Sequence, residues 1–465
     1  MILNKINISE TIGGRLDSKF FNPKYVQIIK TISAVNHCCL SDVATFSSES
    51  WNQEDYFETT FPYIEIGAVD TITGEILNIA TVEKKKAPSR AKKIARRNDI
   101  IVSTTRPNRG AISMINGDMY IVSTGFSIIR DISNCILRDY LFIVLRLHSS
   151  LEQMMQRSSG GNYPAITEEE LKKILIPLPP IKVQQQIVDI YTTAQRTKQA
   201  KEEQANTLLD SIDDYLLSQL GIILPTKDNS HIEDANYKIK LSGLLGKRYD
   251  PYYHNPYFYT AFQELNKSKF HLQSLGEIST LITSGMTPKS GGDAYTNAEN
   301  GVAFIRSGDI DISGEIDFDN LLYIKHEVHN TTMKSSHVKD NDIMIAIVGA
   351  TIGQVGIYHS NKEANINQAI ALVRLNDGYS SEYIKEVIKS SIGQLNLDRL
   401  KRPVARANIN LDEISSMQIP IPDINIQNAI VDNIVLLRER AKLIKEEGNT
   451  SLMNAKAQIE KMILG

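Results

Sequence analysis

Ten lysines and arginines but only two acids fall between Glu83 and Arg109, in EKKKAPSRAKKIARRNDIIVSTTRPNR. Such side chains neutralise phosphates, a salt-dependent contact blind to sequence, and they also reach guanine edges in a DNA groove, a specific one. Asn108, between Arg106 and Arg109, adds the amide type suited to adenine. Lys85, Lys86, Arg90, Lys92, Lys93, Arg106, Asn108 and Arg109 are therefore candidate DNA-binding residues, against the plainer reading of a solvated charged face. Later in the chain the basic residues are scattered, Lys289, Arg306, Lys334, Lys339, Lys401, Arg402 and Arg406, and of these Lys289, Arg306, Lys334, Arg402 and Arg406 are further candidate DNA-binding residues.

Reaction chemistry is harder to find. NPKY (Asn22 to Tyr25) and NPYF (Asn255 to Phe258) approach the Asn-Pro-Pro-aromatic loop that grips a flipped base, but the second proline is missing from both, and they read as turns. No Gly-rich cofactor loop follows a strand, and no GxxxxGK[ST] phosphate loop occurs. His326 and His329, in KHEVHN, lack the HExxH spacing of a metal site and read as surface residues. His37-Cys38-Cys39 reads as half-buried packing, and Glu83-Lys84-Lys85 as an accident of the lysine run. No nucleophile–base constellation can be named, so no catalytic residue and no metal ligand is assigned.

The elements that must position these residues occur twice. IPLPPIKVQQQIV (176–188) overlies IPIPDINIQNAIV (419–431), with Pro177 on Pro420, Pro179 on Pro422 and Gln184 on Gln427. KINISETIGGRLDSKFFNP (5–23) matches KIKLSGLLGKRYDPYYHNP (238–256), placing Arg15 and Asp17 on Arg248 and Asp250. FPYIEIGAVDTITGEI (61–76) echoes VAFIRSGDIDISGEI (302–316), and NDIIVSTTRPNRGAISMI (98–115) echoes NDIMIAIVGATIGQVGIY (341–358). Several such pairs in one order indicate two tandem copies. In each copy short β-branched runs broken by Gly, Pro and Asn read as strands and turns, with a few helices such as Leu137–Gln156, an α+β class. A Pro-rich hinge then gives way to a long helix.

Apolar residues in the long helices step by threes and fours: Val183, Ile187, Ile190 and Ala194, then Ala205, Leu208, Ile212 and Tyr215. The second helix repeats the pattern at Ile430, Ile434, Leu437, Ala441 and Ile444, then at Leu452, Ala455, Ile459 and Met462 after a phase break near Gly448. So narrow a seam predicts a coiled coil in which each helix packs on the other rather than on its own domain. The expected division is 1–180 and 223–423 as mixed domains (with a linker at 223–237), and 181–222 and 424–465 as helices.

The bulk numbers set limits. With 465 residues, several domains are expected. No apolar run has membrane length, the N-terminus lacks a signal-peptide layout, and three cysteines form neither a disulfide framework nor a zinc set, so a cytoplasmic protein is expected. A net charge of −3 gives nucleic-acid binding no support from the whole chain, so that reading rests on local patches.

The duplicated hinge, the helices after it, VSTTRPNRGAISMI (102–115), SGMTPKSGG (284–292), IVGATIGQVGIY (347–358) and NINQAIALVRL (365–375) together resemble the specificity subunit of Type I restriction–modification systems. The resemblance covers essentially the whole chain. It implies two target-recognition domains separated by two helices packed as an antiparallel coiled coil, a pseudo-twofold internal repeat. Each domain would read one half of a bipartite, asymmetric site in double-stranded DNA. The helices would dock two adenine methyltransferase subunits, with restriction and translocase subunits joining through the complex. The chain itself would be non-catalytic and hold no cofactor, since S-adenosylmethionine, ATP and magnesium belong to partner subunits. By position the resemblance adds Ser284, Thr287, Thr351 and Gln354 to the candidate DNA contacts, although the first copy lacks a clear Gly-x-Thr-Pro turn. Two rivals stand beside it: a coiled-coil scaffold that binds proteins, and a recognition chain with an unseen nuclease or methylase activity.

Overall fold

Strand Ile100–Ser103 explains how the mixed segment is built. Ile100 and Val102 face a cluster containing Tyr140, Leu141 and Ile187, whereas Ile101 joins Ile64, Val122, Phe126 and Ile128 on the other side. A strand covered on both faces has no solvent side for polar residues, which is why its first three positions read IIV instead of alternating. In the second copy Ile343 and Ile345 face a cluster with Tyr383 and Ile434, and Met344 faces one with Ile366 and Leu372.

The computed structural model describes residues 19–52, 57, 59–225, 248–289, 292–402 and 407–465. Arg15, Asp17, Arg406 and the 226–237 part of the proposed linker lie outside them. The chain gathers into two compact units, 1–203 with 443–465, and 204–442.

In the first unit an antiparallel sheet runs in the spatial order Ala44–Phe46, Phe126–Ile132, Ile100–Ser103, Ile112–Met114. A second sheet runs Ala80–Glu83, Thr60–Ile64, Met119–Ser123, Ala91–Arg96, and its central pair is parallel. The second unit repeats the plan, with Ser279–Ser284, Ile370–Leu375, Ile343–Ala346, Val355–Ile357 in one sheet. Its other sheet again has a parallel pair, Gly301–Ile305 with Ala364–Ile366. The repeated Asn-Asp of NDII and NDIM has a physical reason. Asn98 and Asn341 take left-handed turns, at φ 71° and 67°, and each following aspartate is buried against an arginine, Asp99 on Arg130 and Asp342 on Arg374.

Each hinge is clasped in the same way. Leu175–Pro177 pairs with His37–Cys39, and Gln418–Pro420 with Leu272–Ser274. The Tyr140 hydroxyl donates to the Pro177 carbonyl at 2.8 Å, and Tyr383 to that of Pro420 at 2.6 Å. Gln184, fully buried, accepts from the Leu137 amide at 2.8 Å and donates to the Cys135 and Pro179 carbonyls. Gln427 accepts from the Ser380 amide at 3.0 Å and donates to Pro422. The two Asn-Pro sites are helix starts: Asn22 and Asn255 cap Pro23–Ser33 and Pro256–Leu265, with proline in the first turn, where its missing N–H costs nothing.

The long helices are Ile181–Leu220 and Ile424–Leu464. Within the first unit Lys198 and Lys201 lie beside Gly448 and Glu447, while the earlier Ile187 shares a cluster with the later Ile459 and Ile463, so the helices run antiparallel. Within the second unit Leu216, Leu217 and Leu220 share a cluster with Ile430 and Ile434, and Tyr215 hydrogen-bonds Asn433. Ile187, Ile430, Ile434 and Ile459 are buried, whereas Ile190, Leu208, Ile212 and Leu437 are half-buried.

Four expectations need correction. The helices pack on their own unit's core as well as on each other, since Ile187, Tyr191 and Ile459 share one cluster with Leu40, Ile100 and Tyr140. With two surfaces to cover, the buried line drifts from the heptad: Tyr191 is buried beside half-buried Ile190, and Ile463 replaces the exposed Met462. Leu137–Gln156 is two helices, Arg138–Leu145 and His148–Arg157. It breaks at Arg146, whose buried guanidinium turns away to bond the Ile72 and Thr73 carbonyls. His329 is buried, not superficial, because Asn365 accepts from its ring and the ring stacks on His337 with centroids 3.8 Å apart.

Candidate nucleic-acid interface

In the first unit two loops are laced together at the end of strand Ile100–Ser103. The Ile166 amide donates to the Thr104 carbonyl at 2.9 Å and the Arg106 amide to that of Pro164 at 2.7 Å. Ser159 and Ala165 exchange two 2.8 Å bonds, closing the loop between them. Gly160, at φ 91°, makes that closure possible. Pro107 is buried and anchors the basic loop, leaving Asn108 and Arg109 exposed. Arg106 places its guanidinium carbon 4.3 Å from the ring centroid of Tyr163, which is 70% exposed. No carboxylate is paired with Arg106 or Arg109 among the described residues.

The rest of the basic run divides in two. Lys84 donates to the Phe57 carbonyl and Lys93 to that of Phe126, each at 2.7 Å. Lys86 pairs with Glu83, Arg96 with Glu49 and Arg97 with Asp118. Lys85, Arg90 and Lys92 are exposed, and no acid is paired with them among the described residues. Between Arg96 and Arg130, hydrogen bonds hold the Glu49 carboxyl well below its ordinary range, at about 2. That glutamate is a structural brace, not an acid–base group.

In the second unit the same lacing recurs: Gly349 donates to the Ala407 carbonyl at 3.0 Å and Ile409 to that of Ile347 at 3.0 Å. Thr351 and Gln354 lie on this loop, both half-buried; the Thr351 hydroxyl is turned onto the Val348 carbonyl, and the buried Gln354 side-chain oxygen has no partner among the described residues. Ser284 ends its strand half-buried, Thr287 is exposed and bonded to Gln368, and Lys289 and Lys334 are exposed. Arg306 is tied to Asp309 by two bonds, at 3.0 and 2.7 Å, and Arg402 reaches Asn408 and Glu413. The structure therefore gathers Arg106, Asn108 and Arg109 on one loop, places Thr351 and Gln354 together on its counterpart, and commits Lys93, Arg306 and Arg402 to internal bonds. Tyr163 was missed in the sequence. A single aromatic after two glycines has no periodicity to mark it.

Among the described residues no group of three His, Cys, Asp or Glu side chains could hold a metal, and no helix is long and apolar enough to cross a membrane.

Comparison with known proteins decides the family. The model of the Type I restriction modification DNA specificity domain matches twice, over residues 33–209 and 266–450. The chain belongs to this specificity-domain family. Over 157 residues it is 29% identical to the Type I restriction enzyme HindI specificity subunit of Haemophilus influenzae, covering 33% of each chain. It is 32% identical over 157 residues to the EcoBI specificity subunit of Escherichia coli, covering 33% of this chain and 32% of that one. The matched part thus spans about a third of the length of these two specificity subunits. A chain from a solved type I R-M system structure is 19% identical, with a TM-score of 0.46 over 92% of this chain and 95% of that one.

Proposed function

We propose that this chain is the DNA-recognition subunit of a Type I restriction–modification complex, each specificity domain reading one half of a split, asymmetric site. The observation that carries the reading is the double match of the DNA specificity domain to two units of one topology. Each unit presents a laced loop with different polar residues, as two readers of different half-sites would require. In this reading the chain works in the cytoplasm on double-stranded DNA and is not itself catalytic. Two methyltransferase subunits dock on it, bring S-adenosylmethionine and methylate adenine, and restriction subunits bring ATP and magnesium chemistry. Lys85, Arg90, Lys92 and Arg109 suit phosphate or base contacts because their charges are not neutralised by described carboxylates.

The test is genome-wide adenine methylation in the host with this gene present and then deleted. Loss of one split motif on deletion supports the proposal and reveals both half-sites. A methylome unchanged in a strain that expresses the chain and its partners sinks it and favours a protein-binding scaffold. Methylation or cleavage by the purified chain alone, given cofactor and DNA, would establish an enzyme instead.

A further inference from the structure

Arg106 has a left-handed backbone, φ 47° and ψ 55°. Among the described residues, the other positive-φ positions are glycines and the two turn asparagines, Asn98 and Asn341. A residue with a β-carbon is strained there, whereas glycine is not. The second unit shows the relaxed solution. Gly349 occupies the equivalent point of its laced loop, at φ 78°, and makes the same backbone hydrogen bond as Arg106. The loop therefore needs the left-handed turn but not an arginine, and the strain at position 106 is offset by something the side chain does.

Among the described residues one side-chain contact is recorded for Arg106. The guanidinium stacks over the exposed Tyr163 ring, and no carboxylate is paired with it among the described residues. Such stacking holds the planar fork in one orientation while leaving its N–H edges available. The backbone of the Tyr163 loop is pinned on both sides, by the Ser159–Ala165 bonds and by the Arg106 amide on Pro164, so the residue that carries the ring is held beside Arg106. We propose that Arg106, set by this strained turn and by Tyr163, reads a guanine of the first half-site through its O6 and N7 edge, and that Tyr163 is a positioning residue. The inference rests on the DNA-recognition reading above and assigns one base to one side chain.

The experiment compares methylation motifs in cells making the full complex with wild-type chain, Arg106→Gly, Tyr163→Ala or Tyr163→Phe. It also compares thermal unfolding of each purified complex. Arg106→Gly, which installs the second unit's residue, should leave the unfolding temperature equal or higher. It should also lower discrimination at one guanine of one half-site by about 5- to 100-fold, leaving the other half-site intact. Tyr163→Ala should relax the same position, and Tyr163→Phe, which keeps the ring, should restore it. An Arg106→Gly complex with an unchanged motif overturns the inference. So does a uniform fall in methylation of every site with no relaxed base, the signature of a phosphate contact. If wild type itself yields no split motif, the DNA-recognition reading has failed instead, so the two failures are distinguishable.

Discussion

The buried glutamines show what a single side chain contributes to the hinge. Gln184 satisfies one amide and two carbonyls where a strand stops and a helix starts. Gln184→Ala strands those groups away from water and should cost about 1–3 kcal/mol, measured by denaturant unfolding. Glu49 gives a test with a defined pH window. Its carboxyl is depressed to about 2 by Arg96 and Arg130, so its stabilisation is complete above the ordinary carboxylate range. As pH falls from that range towards about 2 the stabilisation is lost, because the unfolded chain takes up the proton first. The stability difference between wild type and Glu49→Gln should therefore shrink over that fall, and a difference independent of pH would refute the brace. Residues of this kind are only partly legible in a sequence. Gln184 was visible because its copy, Gln427, stands in the same Pro-rich frame. Tyr140 and His329 were not, since each finds its partner, the Pro177 carbonyl and Asn365, more than thirty residues away.

Among the elements, the long helices carry the sharpest test of register. Ile459 is fully buried between a helix and a domain core, whereas Met462, three residues on, is 41% exposed. Ile459→Ala should cost about 2–5 kcal/mol. Met462→Ala should change stability by no more than about 0.5 kcal/mol, and thermal unfolding separates the two outcomes. The seam was readable as a pattern of threes and fours, but its phase was not. Periodicity reports that a face is covered and does not say by how many partners. The break at Arg146 was hidden for a related reason. LRDYLFIVLRLHSSLEQMMQ is apolar enough to run as one helix, and what stops it is a guanidinium pulled into the carbonyls of the 72–74 turn. The second copy breaks its helix at the matching place, where Lys389 bonds the Ser313 carbonyl. Strands buried on both faces were easier, because IIV and IMIA leave no polar position to misread.

For the molecule as a whole, a net charge of −3 conceals an uneven distribution. Half of the Glu83–Arg109 cations are bonded internally, leaving Lys85, Arg90, Lys92, Arg106 and Arg109 for outside partners. Replacing Lys85, Arg90 and Lys92 by Gln should flatten the dependence of log affinity on log salt for cognate DNA by up to about 3 and leave the motif unchanged. A slope equal to that of wild type would place the DNA elsewhere. The first unit also draws on two separated stretches of chain: its core needs Leu452, Ala455, Ile459 and Ile463, which come after the second unit in the sequence. On the ribosome this reverses the usual order of completion. After Glu203 is made, the first unit must wait for some 260 further residues, roughly 10–50 seconds of synthesis, before its last buried side chain, Ile463, exists. The unit made second can mature first, and a premature stop codon after position 442 would spoil the head that was translated earliest.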